Sequence, residues 1–285
     1  MEFTVICPAY NARDFIIETI KSVENQTYQN WQMIIFDDGS SDDTYNICAQ
    51  FAAQNPKIRL LKHADGTNKG LKQTLLCALD CVKTPYVAFL ECDDYWHRDY
   101  LKEKAAFLQK NPSCAVVFNA VEPFGEKERV RRLKLYYFAL NFYLRLRRPF
   151  CQLYDLKAPL FSFNAVPTFS CICARRDVLD GLDFTSPFRP WLDYYLCAQI
   201  ALKHRFCFMK KKLTFWRLRT DSYTMRSLGD LKEGEDKFRN ALAKMYKEAL
   251  PPAQYYFIKT LDAVYGFIFK VFFLIPFKFF YRLLS

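Results

Sequence analysis

Ile34-Ile35-Phe36-Asp37-Asp38-Gly39-Ser40-Ser41-Asp42 decides the fold. A short apolar run stops abruptly at two acids, a glycine and two hydroxyls. Such a run, bounded by turn residues, reads as a buried strand of a parallel sheet. The same grammar returns at Tyr86-Val87-Ala88-Phe89-Leu90-Glu91-Cys92-Asp93-Asp94. An open α/β sheet binds its ligand at the carboxyl edge of its strands, and both acidic clusters fall on that edge. Crowded carboxylates resist ionisation unless a cation or a set of donors compensates. A divalent metal carrying a nucleotide diphosphate compensates, so a metal-assisted nucleotide site is the expectation.

Working outward, apolar runs predict strands at 3–7, 32–37, 58–62, 86–90 and 114–118. Helical spacing predicts helices at 12–24, 70–82 and 98–110, and a further one through Gln54. Ser40 and Ser41 read as the N-cap of that last helix, with Asp42 and Asp43 in its acidic first turn. This β-α-β-α rhythm predicts a parallel sheet wrapped by helices. After Gly125 the rhythm breaks. Residues 129–148 hold seven basic residues and no acid, interleaved with Tyr136, Tyr137, Phe138, Phe142 and Tyr143. A basic amphipathic helix on the surface accounts for this stretch, and so does a face for anionic lipid or an anionic acceptor. Regular structure then resumes with an apolar stretch at 166–174, a helix at 191–203, and strands at 205–209 and 213–218.

Residues 263–285 are nearly all apolar and aromatic, interrupted by Lys270, Lys278 and Arg282 and broken by Pro276. The longest uninterrupted apolar run, Val271 to Phe277, falls far short of the roughly 20 residues that cross a bilayer. A helix lying in the membrane interface, its lysines reaching back to the head groups, fits better. The alternative is a terminal helix packed on the body of the protein.

The chain is 285 residues long, 51% hydrophobic and 18% aromatic, with a net charge of +11. That surplus points to an anionic partner: nucleotide, nucleic acid or acidic membrane. The eleven cysteines contain no CxxC pair, so reduced, buried thiols in a cytosolic compartment are expected. Met1 to Pro8 enters a strand directly, without the basic start and long apolar segment of a secretory signal. An intracellular protein is therefore expected.

Three constellations bear on chemistry. The first turn, Cys7-Pro8-Ala9-Tyr10-Asn11, lacks the glycines of the dinucleotide fingerprint, which argues against nicotinamide or flavin chemistry. Tyr10 would suit stacking on a base. At the second, an acid at the end of strand two can accept hydrogen bonds from a base or a ribose, whereas helix capping leaves the two acids before Gly39 unexplained. At the third, Asp93-Asp94 is the kind of pair that holds Mg²⁺ or Mn²⁺, the remaining ligands coming from water and phosphate.

In this order and spacing, CPAYNA (7–12), FDDGSSDDT (36–44), NKG (68–70) and FLECDDYW (89–96) resemble the family 2 glycosyltransferases of the GT-A fold. The resemblance covers residues 1–120 closely. It continues weakly to 225 through Trp191-Leu192-Asp193 and Trp216-Arg217-Leu218-Arg219. It implies an α/β fold, mostly parallel and flanked by helices, to which the apolar C-terminus adds an expected membrane-associating helical tail. It implies a catalytic domain over 1–225, comprising a nucleotide-sugar half at 1–120, a basic aromatic insert at 126–150 and an acceptor half at 160–225, followed by the tail at 226–285. Inverting transfer of a sugar from a nucleotide diphosphate, UDP by family habit, is the implied activity. A glycan or lipid-linked acceptor of bacterial envelope polysaccharide synthesis suits the basic surface and apolar tail.

Residue by residue, the resemblance implies that Pro8, Tyr10, Asp38, Asn68, Lys69, Asp93 and Arg219 bind the donor. Asp94, with Asp93, would hold Mn²⁺ or Mg²⁺, and Asp193 would be the acceptor's base. Glu91 stands where the family's leading Asp usually stands. Thr74-Leu75-Leu76 replaces the usual Ala-Arg-Asn, and Arg219 replaces a frequent histidine. No nucleic acid is expected, and the protein is expected on the cytoplasmic face of the membrane. Two other classes stay open: a membrane- or RNA-binding scaffold using 129–148, and a metal-dependent nucleotidyltransferase. The second usually carries a glycine-rich basic loop after strand one, which Pro8-Ala9-Tyr10 does not supply.

Overall fold

In the computed structural model the described residues are 1–127, 130–131, 153–162, 164–186, 191–219 and 231–269. Among them nine strands form one sheet: β1 (Phe3–Ala9), β2 (Trp31–Asp37), β3 (Ile58–Lys62), β4 (Tyr86–Phe89), β5 (Tyr95–Trp96), β6 (Val116–Gly125), β7 (Leu153–Tyr154), β8 (Ile172–Arg175) and β9 (Phe206–Leu218). Their order across the sheet is 3-2-1-4-8-6-9-5, with β7 also pairing with β9. Strands β3, β2, β1, β4, β6 and β9 point the same way, and β8, β5 and β7 run against them.

The helices are α1 (Ile16–Glu24), α2 (Thr44–Gln54), α3 (Gly70–Asp80), α4 (Tyr100–Lys110), α5 (Lys157–Ser162), α6 (Leu192–Lys203), α7 (Leu231–Ala249) and α8 (Pro252–Phe269). They cover both faces of the sheet because the strands between them are apolar on both sides. In α1 the buried residues are Ile16, Thr19, Ile20 and Val23, the i, i+3, i+4, i+7 stripe of a helix lying on a sheet. One core layer joins Phe3, Val5, Met33 and Ile35 to that stripe. The other joins Ile6, Ile34, Phe36 and Phe118 to α3, α6 and the C-terminal helices.

Four expectations change at this level. The strands expected at 205–209 and 213–218 are one strand, β9. Lys210, Lys211 and Lys212 stand exposed in its middle, where the pairing with β6 shifts register at Asn119 and Ala120. Ser40 and Ser41 do not cap α2; Ser40 Oγ accepts from Asn11 N–H and Ser41 N–H donates to Asn11 Oδ1. Asp43 holds the N-cap position without a side-chain cap bond, and Asp42 Oδ1 accepts from Thr44 N–H at 3.0 Å. The thiols are not all reduced: Cys114 and Cys207, 93 residues apart, form a disulfide, brought together by the β6–β9 pairing.

The fourth change concerns the C-terminal region. In α7, Phe238, Leu242 and Tyr246 lie along one face and are fully buried, as are Tyr255 and Ile258 of α8. Phe238 packs 5.0 Å from the rings of both Trp191 and Tyr194. Each such side chain withdrawn from water contributes about 1.5–3 kcal/mol, so this part of the expected tail is core. Among the described residues no helix is long and apolar enough to cross a membrane. The remainder of the apolar segment, 270–285, and nearly all of 129–148 lie outside the described residues.

Candidate active site

The strand ends deliver two acidic groups to the carboxyl edge, and the protein treats them differently. At the end of β2, Asp38 is buried and both oxygens of its carboxylate are engaged. Oδ1 accepts from Lys69 N–H at 2.8 Å and lies 3.1 Å from His63 Nε2, and Oδ2 accepts from Gly70 N–H at 2.9 Å. Thr74 Oγ1 also lies 3.3 Å from that histidine nitrogen. Asp38 thus ties the β3–α3 loop to the end of β2. Gly39 makes this possible: its φ is +70°, and a Cβ there would sit 2.6 Å from the Asn68 nitrogen. Asp37 Oδ2 accepts from Ser40 N–H at 3.0 Å.

The loop residues Asn68 and Lys69 are exposed, and the Lys69 ammonium pairs with Asp65 at 3.0 Å. A cavity of about 690 Å³ opens at His63, lined by Phe36, Leu61, Lys62, Lys69 and Gln73 among others. None of Asp93, Asp94, Asp193 and Arg219 lines it.

At the end of β4 the acids are under-compensated. Asp94 is 1% exposed. Its Oδ1 accepts from Arg217 N–H at 2.8 Å, while its Oδ2 has no partner. Burial, followed by the charges of Asp93 and Glu91, holds its carboxyl well above the usual carboxylate range. Glu91 is pushed up to about 8, chiefly by burial and then by Asp93; a hydrogen bond from Thr168 acts the other way. Thr168 Oγ1 donates to Glu91 Oε2 at 2.5 Å, and Glu91 N–H donates to Ser170 Oγ at 3.0 Å. Asp93 faces the Arg219 guanidinium, Nε to Oδ2 3.5 Å.

Asp193, in the first turn of α6, is pushed up to about 6 by burial, with its own neighbour Tyr194 N–H donating to Oδ1 at 2.7 Å. Its charge is felt at Glu91, which places the α6 terminus beside the β4 cluster. Tyr10 stands between the two groups. Its N–H bonds to Cys92, and its side chain is 47% exposed at the end of β1. Pro8 is half-buried in β1, two residues earlier.

The structure therefore joins Asp93, Asp94, Arg219 and Asp193 in one group, and Asp38, Asn68 and Lys69 in another, with Tyr10 and Pro8 between them. Among the described residues, no three His, Cys, Asp or Glu side chains converge as an all-protein metal cage. The chemistry nevertheless fits a cation shared with a substrate. Such ions use one or two carboxylates and take their other ligands from water and phosphates, and Asp94 Oδ2, buried without a hydrogen-bond partner, suits that role. Sequence reasoning passed over Thr168 and Ser170, which reach Glu91 from nearly eighty residues away, and gave Arg217 no role of its own.

The profile described as glycosyl transferase family 2 matches residues 4–181. The chain belongs to that family. WfaP of Escherichia coli, a UDP-Glc:α-D-GlcNAc-diphosphoundecaprenol β-1,3-glucosyltransferase, is 36% identical over 106 residues, 37% of this chain and 41% of WfaP. The match thus spans about two fifths of that relative's length. AmsB of Erwinia amylovora, an amylovoran biosynthesis glycosyltransferase, is 23% identical over 92% of both chains.

Among solved structures, S. aureus TarS 1–349 in complex with UDP-GlcNAc superposes with a TM-score of 0.64 at 19% identity, over 90% of this chain and 70% of that one. The mannosyltransferase PcManGT of Pyrobaculum calidifontis, in complex with GDP-Man and Mn²⁺, gives 0.60 at 15%, over 98% and 82%. These likenesses establish the expected GT-A-type fold for this family 2 chain.

Proposed function

We propose that this family 2 protein is an inverting glycosyltransferase that moves a sugar from a UDP-sugar to a hydroxyl of a glycan or lipid-linked acceptor in envelope polysaccharide synthesis. The observation that carries this is the under-compensated cluster of Glu91, Asp93 and Asp94, with Arg219 and Asp193 beside it. Tyr10, half-exposed between the two acidic groups, would stack on the donor's base. Asp38 anchors the β3–α3 loop beneath it, leaving Asn68 and the Lys69 side chain on the solvent side. Asp93 would accept from the ribose hydroxyls, and Arg219, ion-paired to it, would face the diphosphate.

Asp94, with Asp93, would hold Mn²⁺ or Mg²⁺. A divalent ion bound there supplies charge neutralisation for the departing nucleoside diphosphate. Asp193 would take the proton from the acceptor hydroxyl as that oxygen attacks the anomeric carbon. A carboxylate with a pKa near 6 remains ionised at neutral pH while being a better base than an ordinary aspartate, and general-base help is typically worth 10²–10⁴-fold. A single displacement from the face opposite the leaving group inverts the anomeric centre. The UDP donor and envelope acceptor draw support from the activity in WfaP's name and from the UDP-GlcNAc complex of TarS. Manganese draws support from PcManGT.

We place the protein on the inner face of the cytoplasmic membrane, through the apolar residues of 263–285 and the basic ones of 129–148. Removing 263–285 should move it from membrane to soluble fractions; identical fractionation of both forms would refute this placement. The transferase proposal is tested by a screen of nucleotide sugars for manganese-dependent thermal stabilisation. A shift with UDP-sugars, abolished by chelator, is expected. No shift with any nucleotide sugar, or one indifferent to metal, counts against it.

A further inference from the structure

The geometry points to Arg217 as a positioning residue that fixes the Asp93-Asp94 turn against α1 and does not itself contact the donor. Arg217 sits near the end of β9, and three tethers leave it. Its backbone N–H donates to Asp94 Oδ1 at 2.8 Å. Its Nε–H donates to the Asp93 carbonyl at 2.8 Å. Its Nη2 meets the Glu18 carboxylate on α1.

The guanidinium is also held by two rings, with Cζ 4.9 Å from the centroid of Phe15 and 4.6 Å from that of Phe124. Phe124 is its register partner across β6–β9. Gly125, next in β6, permits the close approach there: its φ is +107°, and a Cβ would lie 2.5 Å from the Leu218 carbonyl oxygen. The α1 side reaches the same turn independently, since Thr19 Oγ1 donates to the carbonyls of Cys92 and Asp94 at 3.0 and 2.7 Å.

A planar fork engaged at Nε and Nη2, with both ring contacts made, has its direction set by the protein. A lysine offers a single point charge and cannot reproduce the two-sided grip. Arg219, two residues on, differs: it shares Phe15, with Cζ at 4.3 Å, but faces the Asp93 side chain. One arginine therefore grips the backbone of the acidic turn while the next lies beside its carboxylate.

The choice of UDP as probe rests on the proposed function; the clamp itself does not. The test uses the full chain and the variants Arg217→Gln, Arg217→Lys and Glu18→Gln, the last altering a half-exposed residue outside the proposed site. In ligand-free protein, amide exchange over residues 91–97 should quicken about tenfold in Arg217→Gln, the size expected for losing hydrogen bonds to a charged group. Arg217→Lys should not restore protection, and Glu18→Gln should show a smaller change in the same segment.

By calorimetry, metal-free UDP affinity should fall only slightly in the Arg217 variants, through the loosened Asp93, and stay unchanged in Glu18→Gln, while any gain in affinity conferred by Mn²⁺ should shrink in both Arg217 variants. Unaltered exchange at 91–97, or a tenfold loss of metal-free UDP affinity in Arg217→Gln, would overturn the assignment and make Arg217 a donor contact. A wild-type protein that gains nothing from Mn²⁺ would instead sink the metal proposal, and exchange would still decide on Arg217.

Discussion

The two acidic clusters look alike in sequence and differ in electrostatic state. At the end of β2, Asp38 receives two backbone N–H groups and a histidine. Its carboxylate holds the β3–α3 loop. At the end of β4, Asp94 is met by the Arg217 N–H and by the Ser170 hydroxyl, and its Oδ2 keeps no close partner beside Glu91 and Asp93. Donors reach both oxygens of Asp38, whereas Asp94 keeps Oδ2 without a hydrogen-bond partner among neighbouring acids. An apolar run ending in acids therefore marks the functional edge of the sheet, and what the acids do there depends on how many donors the fold aims back at them.

The sharpest way to break this contrast is to remove one acid from each cluster. Asp94→Asn should lower sugar transfer by at least about 10³-fold, because it removes the proposed ligand for charge neutralisation. It should leave thermal stability unchanged or slightly higher, since it relieves a buried, repelled carboxylate. Nucleoside diphosphate release from a UDP-sugar and a thermal melt read both quantities. Near-normal turnover would refute the role of Asp94. Asp193→Asn should cost 10²–10⁴-fold in turnover with the fold intact. In the wild type, kcat/KM should fall as pH drops through about 6, the value to which burial raises Asp193. A profile flat from pH 7 to 5 would remove Asp193 as the base.

Asp38→Ala should do the opposite of Asp94→Asn. It strands the N–H groups of Lys69 and Gly70 and the ring of His63, and an unsatisfied buried donor costs about 1–3 kcal/mol. A loss of roughly 3 kcal/mol in urea unfolding is therefore expected, with the loop at 63–70 released. If Asp38→Ala melts like wild type while Asp94→Asn unfolds, the contrast between the clusters is reversed.

Much of this was legible in the chain because short apolar runs and turn residues are local signals. Strand β3 falls at 58–62 as the apolar run predicts, and the acids of both clusters fall at the carboxyl edge. Local signals fail where partners are distant. Ser40 and Ser41 have capping chemistry, but Asn11, thirty residues away and with a φ of 48°, claims them first. Three consecutive lysines suggest a break in β9, yet a strand tolerates them where they face water. Thr168 beneath Glu91 and the grip of Arg217 on the acidic turn span about 77 and 123 residues of chain. Only the assembled sheet creates those contacts.

The smallest effect concerns a buried charge of opposite sign that supports the second cluster from below. Lys104 of α4 is fully buried, and its ammonium donates to the carbonyls of Val117 and Cys171 at 3.1 and 3.0 Å and lies 4.9 Å from the Tyr100 ring. Cys171 follows Ser170, whose hydroxyl accepts from Glu91 N–H, so Lys104 braces the segment that holds Glu91. Burial lowers its pKa to about 8 from an ordinary 10.5. The neighbouring Cys171 and Cys173 thiols and the Tyr100 phenol are all pushed upward by burial and stay neutral around pH 8. Below pH 8 the lysine is charged in folded and unfolded chains alike, and pH has no leverage through it. Between 8 and 10.5 the unfolded chain still binds the proton that the folded one has released, so rising pH stabilises the fold, by at most about 1.4 kcal/mol per unit. Lys104→Met should lack this increment. Urea unfolding of both proteins from pH 7.5 to 10 should give a stability difference that moves steadily in favour of the wild type above pH 8, and parallel curves would show that the buried ammonium keeps its proton.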